Sequence, residues 1–564
     1  MVDTMADTVL AAAATVTVDG AELDEEMRGH IELVVVDDDV SLPTMFAVTL
    51  QDPELDVVAK SGMRVGAKVD IAYAGQGGAD DPICSGEVVT IECDYDAFGN
   101  RVVVRGYSPS HRLHSGRRTR AFVNVTDSDI VNQVAEDAGV DLGLVQDTDE
   151  VHDHVTQANV SDWEFLSTRA RAIGFDLAIV DGKLTFGRSP AAATAPAESA
   201  IDDSPEGRDE RVLVYGENLL SFHGRISAAE QVSSVEVRGW DDTQKQAIVA
   251  SVDARTEAAK LNLADPATLA GFFGNPKLVS VDQSITTDGA ANTAAKALGE
   301  RLGSAFAKAD GVAVGNAKLK AGTAVRIGKL SEDFNGAYVL TQVRHVIDGF
   351  GFRTHFTIGG RQAQSIPEVP ATASTEGGDS IHRLPGIVRA IVEENDDPDS
   401  QGRVKVSFPW LDEDYKSDWA PVIQLGAGPK SGTFFLPAVK DEVLCGFEQG
   451  NVGRPIVLGG LFNGQDDPPT YSQWLKDGAV NGRGIYSRTG HFLEFWDDDK
   501  DVALLSTSNG NASIALDHGD QKVVIQSDGA IEITAQAELK IRASKITLEA
   551  DGNLVLKGAQ ISLN

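Results

Sequence analysis

The chain has 564 residues, with 49 Lys and Arg against 85 Asp and Glu, a formal net charge of −36 and 42% hydrophobic residues. At roughly 100–200 residues per domain this predicts several domains, and the apolar content excludes a wholly disordered chain. The acid excess repels phosphate backbones and anionic membranes, so no nucleic-acid partner is expected, and it suits a high-salt organism, where salt screens dense carboxylates.

Residues 1 to about 105 read as β, because β-branched runs at 31–36, 45–50, 67–73, 84–93 and 101–106 are punctuated by Asp, Gly and Pro. The N-terminus lacks the basic segment of a signal peptide, and no stretch approaches the ~20 apolar residues of a bilayer span, so neither an export signal nor a stable membrane anchor is expected. Cys84, Cys93 and Cys445 form no CxxC pair and are expected to be buried small hydrophobes.

Residues 120–190 change to a mixed α/β pattern. One helix has Thr126 as N-cap, Asp129 at N3, an apolar stripe of Ile130, Val134 and Ala138, and Gly139 as its stop. A second opens on the capping box Ser161-Asp162-Trp163-Glu164, continues with Leu166, Ala170 and Ile173, and ends at Gly174. A hairpin follows, 175–180 and 183–186, turning at Asp181-Gly182. Residues 189–206 read as a long loop, and 211–360 as a second β region broken by a helix-like, Ala-rich stretch at 290–309. Pro, Ser, Thr and Gly mark 361–380 as an interdomain linker. Five or six short strands within 381–464 suggest an OB-like barrel, and a second linker runs from 465 to about 483.

The tail is periodic. Apolar pairs at i, i+2 recur as Ile514/Leu516, Val523/Ile525, Ile531/Ile533, Leu539/Ile541, Ile546/Leu548, Leu554/Leu556 and Ile561/Leu563. Each repeat reads as one short strand with two inward residues and a polar or Gly turn. A repeat of about eight residues is too short for one coil of a single-chain β-helix but fits one face of a three-chain prism. A single chain winding three repeats per coil, or an ordinary antiparallel meander, is the alternative.

The residues at 386–464 carry a family resemblance: Gly386-Ile387-Val388, Gly402-Arg403-Val404-Lys405-Val406-Ser407-Phe408-Pro409-Trp410-Leu411, Trp419-Ala420, Phe435-Leu436-Pro437, Asp441-Glu442-Val443-Leu444 and Gly453-Arg454-Pro455-Ile456-Val457-Leu458-Gly459-Gly460-Leu461-Phe462-Asn463-Gly464. Upstream, Arg117-Arg118-Thr119-Arg120-Ala121-Phe122, Ser161 to Leu166, and Gly336-Ala337-Tyr338 with His345 extend it. The sequence resembles the VgrG-like spikes of contractile injection systems, above all those of extracellular phage-tail-like particles, and is similar to a fusion of phage hub and needle proteins.

The resemblance implies a mainly β fold with a small α/β insert: hub β-barrel 1 (1–110), the insert (111–206), hub β-barrel 2 (207–365), a linker (366–380), an OB-fold domain (381–464), a linker (465–484) and a trimeric β-helix or prism (485–564). The needle core would be Ile514, Leu516, Val523, Ile525, Ile531, Ile533, Leu539, Ile541, Ile546, Leu548, Leu554 and Leu556, and the tip-binding end Ile561, Ser562, Leu563 and Asn564. Implied partners are two further copies of the chain, inner-tube and baseplate hub proteins, a separate PAAR-like tip protein, and effector cargo. The chain would be made in the cytoplasm and built into a phage-tail-like particle, with release from the cell left open.

Other motifs weigh less. Gly426 to Ser431 resembles a phosphate loop, but Pro429 stands where Gly should precede the Lys. Asp397 to Gly402 starts like a calcium loop yet has Phe408 at its twelfth position, which favours a tight turn. The basic knot of His111, Arg112, His114, Arg117, Arg118 and Arg120 reads as structural, His152-Asp153-His154 lacks a third ligand, and Asp497-Asp498-Asp499 with Asp501 reads as a solvated turn. His491 and His518 are isolated, so no metal-bearing apex is expected. No cofactor and no catalytic residues are expected. The alternatives to a structural spike are a glycan-degrading needle enzyme and a trimeric surface adhesin.

Overall fold

The computed structural model describes residues 14–74, 80–97, 99–180, 182–188, 190–205, 207–241, 244, 246–262, 264–281, 285–359, 386–469 and 471–562. The linker expected at 366–380, Asp181 of the hairpin turn, and Leu563 and Asn564 of the tip lie outside the described residues. The fold is mainly β and divides into two compact units, one ending at Leu461 and one beginning at Phe462.

In the first unit both β regions contribute to one eleven-stranded sheet. Its halves meet where strand Gln342–Asp348 pairs antiparallel with Ile31–Asp39, with Val346 opposite Val35. The alternation seen in the sequence explains the burial: Val34 and Val36, Val48 and Leu50, and Val102 and Val104 point into the first core. A separate core in the second half gathers Leu213, Phe306, Val325, Tyr338, Val343 and Phe356. Strand Ala14–Val18, which none of the β runs read from the sequence includes, pairs with Lys68–Ala74.

The α/β insert follows its caps. Helix Asp127–Ala138 has the complete Thr126/Asp129 capping box and stops at Gly139, whose φ of 63° suits a residue without Cβ. Helix Asp162–Ala172 carries the Ser161/Glu164 box, and the two helices share a core with Phe122, Leu177, Leu184 and Phe186. Strand Phe175–Val180 pairs with Lys183–Arg188 around Gly182, at φ 76°.

Two expectations need correction. The Ala-rich helix spans Asp288–Ser304, not 290–309, because from Ala307 alternation takes over and Ala307–Val314 is a strand. The long loop at 189–206 contains 3-10 turns at Ala192–Thr194 and Glu198–Asp202. The small residues of the long helix allow close packing: a Cβ on Gly303 would sit 2.7 Å from the Arg255 carbonyl oxygen.

A four-stranded sheet ordered Lys405–Ser407, Ile387–Glu394, Glu442–Phe447 and Pro455–Gly460 forms the OB region, with Val392, Val404, Val406, Phe408 and Cys445 in its core. It touches the insert through a 3.0 Å hydrogen bond between the Thr156 and Tyr415 hydroxyls. Cys445 is buried as expected and Cys84 is half-buried, whereas Cys93 is exposed, because the end of strand Asp80–Asp96 from Glu92 onward runs out past the core with both of its faces exposed.

Candidate assembly site in the C-terminal sheet

In the second unit, strands Gly482–Tyr486, Phe492–Trp496, Val502–Ser506, Ala512–Asp517 and Lys522–Ser527 form an antiparallel five-stranded meander. Ile485 lies opposite Leu493, Leu493 opposite Leu505, Leu505 opposite Ile514, and Ile514 opposite Ile525. The neighbouring row runs Phe495, Ala503, Leu516, Val523. Because side chains alternate across a strand, all nine share one face. None of the nine is buried within the chain, and Val523 is 65% exposed.

The predicted pairs Ile514/Leu516 and Val523/Ile525 thus stand on one face, but they pair within the chain as the meander set out above as an alternative. From Ile531 to Ser562 no strand forms within the chain, and Ile531, Ile533, Leu539, Ile541, Ile546, Leu548, Leu554, Leu556 and Ile561 are all exposed. The sequence reading missed Leu493/Phe495 and Ala503/Leu505, which carry the same i, i+2 signal but are separated by turns of uneven length.

The acidic turn beside this sheet is tied to its own neighbours. Asp497 pairs with Arg483 and Asp501 with His518, while the Asp498 carboxylate accepts the Lys500 amide at 2.9 Å. His491 accepts the Ser508 amide at 3.3 Å. Among the described residues no group of three or more His, Cys, Asp or Glu side chains is placed to hold a metal ion.

The other singled-out motifs are structural. Ala427–Gly428 and Ser431–Gly432 form a hairpin with Lys430 at φ 53°, not a loop leading into a helix. Asp397 accepts the amides of Asp399, Gln401 and Arg403 and is held by the Arg403 guanidinium at 2.7 Å. That guanidinium and those amides keep its carboxyl well below the ordinary range. In the basic knot Arg112 pairs with Glu87, and Arg118 and Arg120 both reach the buried Asp162. His152 turns to Asp127 at 3.0 Å, while His154 meets the edge of Tyr415, so the two imidazoles serve different contacts.

Residues 388–462 match the family described as the type VI secretion system/phage-baseplate injector OB domain. Over 75 residues the chain is 35% identical to the type VI secretion system spike protein VgrG1a of Pseudomonas aeruginosa, covering 13% of this chain and 12% of that protein. VgrG5 of the same organism is 32% identical over 106 residues, 18% of this chain and 13% of that protein. The chain therefore matches about an eighth of the length of these curated relatives. The VgrG complex solved as the lidded Francisella PdpA-VgrG complex shares the fold, with a TM-score of 0.52 at 9% identity over 91% of this chain and 80% of that one. The lidless complex gives 0.51 at 9% identity over 91% and 98%.

The OB region and these matches define the class: residues 388–462 form an injector-type OB-fold domain, and the chain is VgrG-like in that region and in fold. Its residues 8–349 match the family described as the Alg8 N-terminal domain, and the chain belongs to that family.

Proposed function

We propose that the protein is the homotrimeric central spike of a contractile injection system baseplate, linking the inner tube to a tip protein and driven through a target envelope when a sheath contracts. The observation that carries this reading is the apolar face from Ile485 to Ile525, continued by exposed pairs to Ile561, on a VgrG-like chain. Removing the exposed half of such a side chain from water contributes on the order of 1–2 kcal/mol. Three copies facing a common axis would bury the same pairs reciprocally, giving the needle a dry core and the stiffness that force transmission requires.

In this reading the needle core comprises the twelve repeat residues from Ile514 to Leu556, and the apex at Ile561 and Ser562 receives a separate tip protein. The tandem β regions would present the tube with two similar surfaces per copy. The work is mechanical rather than catalytic, and cargo would ride on the particle. Among the described residues no helix is long and apolar enough to cross a membrane.

The test is the mass of the purified chain by light scattering, with the Ile533→Asp and Ile541→Asp variants beside it. The proposal expects a trimer near three times 59.8 kDa that dissociates in both variants. Variants that remain trimeric would remove the repeats from the interface.

A further inference from the structure

The two faces of the C-terminal sheet are treated differently by the chain itself. Opposite the open apolar face, the side chains are Tyr486, Phe492, Glu494, Trp496, Val502 and Leu504, over Gly482 and Gly484. The helical turn Tyr471–Trp474 and the small hairpin of Leu475–Lys476 with Ala479–Val480 precede this face. They lay the Trp474 indole across the two glycines.

The approach is close enough to need them: a Cβ on Gly484 would lie 2.7 Å from the indole, and the three nearest atoms to a Cβ on Gly482 all belong to it. The Asn481 amide donates to the Trp474 carbonyl at 2.6 Å, closing the segment on itself. The indole sits 5.7 Å from the Tyr486 ring and 6.4 Å, edge-on, from Trp496. Beneath it the buried Glu494 carboxylate accepts hydrogen bonds from the Tyr486 hydroxyl and, at 2.8 Å, from the Trp496 indole N–H.

This cover consists of the chain's own residues, and farther along the same face the last strand pair carries the ion pair of Asp517 and Lys522. We infer that Trp474 is an intramolecular cover that closes the outer face of the sheet, so that copies of the chain meet through the Ile485–Ile525 face alone. The inference rests on the homotrimeric reading above and adds what limits it. With one sticky face the copies close around an axis. With Tyr486 and Trp496 also bare, each copy would offer two unlike apolar faces, and contacts that do not close run on into larger assemblies.

The buried Trp474 Nε1 has no hydrogen-bond partner. The ring is therefore there for its surface. A phenylalanine keeps that surface and removes a buried donor that water would otherwise satisfy, so Trp474→Phe is expected to match or exceed the wild-type thermal midpoint.

Light scattering on the full chain, with an apolar dye as second readout, tests the inference in the wild type, Trp474→Phe, Trp474→Ala and Gly482→Ala. The last retains every aromatic side chain and only pushes the indole off the strand. The inference expects trimers for the wild type and Trp474→Phe, and species heavier than trimers with raised dye binding for Trp474→Ala and Gly482→Ala. If circular dichroism shows Trp474→Ala unfolded, Gly482→Ala alone decides. Trimers of unchanged mass, dye binding and thermal midpoint in Gly482→Ala would overturn the cover. A monomeric wild type would overturn the trimer itself.

Discussion

Asp397 and Asp38 are both acids at turns or seams of the first unit, and their surroundings push them in opposite directions. Asp397 is held down by Arg403 and three backbone amides, so its folded-state pKa lies below the unfolded one. It contributes stability above the unfolded value near 4, and that contribution is lost as pH falls through the folded value. Asp397→Asn should therefore lower the thermal midpoint at pH 7, by a loss on the order of 2 kcal/mol, and lower it less at pH 2. Asp38 is pushed up to about 6, first by burial, although Thr44 and the Ala321 amide both donate to it. Its folded pKa exceeds the unfolded one, so the folded form gains relative to the unfolded as pH drops from about 7 to 4. A thermal-melt series from pH 7.5 to 4.5 should show a rise in wild type relative to Asp38→Asn. A constant difference across that range would contradict the assignment.

At the scale of elements, the helices of the insert were legible because their signals are local. Thr126 with Asp129, Ser161 with Glu164, and Gly139 each act within one turn of chain, and each occurs as read. Replacing Thr126 or Ser161 by Ala should cost about 1 kcal/mol in chemical denaturation. The junction of the two β regions was not legible, since pairing Gln342–Asp348 with Ile31–Asp39 joins segments some three hundred residues apart and leaves no local mark. Nor was the strand at Ala14–Val18, whose short ATVTV run follows three alanines. In the tail the i, i+2 pattern placed the apolar residues on one face, because that period is intrinsic to a strand. Whether neighbouring strands come from the same chain is not encoded in that period. Through Ser527 the chain supplies its own neighbours. Trp474 had no signature in the sequence, since its role depends on Gly482 and Gly484 lying beneath it.

At the scale of the whole molecule, the two units differ in how far each buries its own apolar residues. The first is internally satisfied, with separate cores for its β regions, insert and OB sheet. The second leaves most of its large apolar side chains bare, from Ile485 to Ile561. A surface of that extent on a chain with net charge −36 is a face that calls for a matching one, and under the proposed function the chain's own copies would provide it. Apolar contact strengthens rather than weakens as salt screens the acidic surface, so the assembly should persist at high ionic strength. The measurement that tests this most directly is the light-scattering mass of the full chain across low and high salt. The account predicts a trimer near three times 59.8 kDa in both, and a monomer at micromolar concentration in either would contradict it.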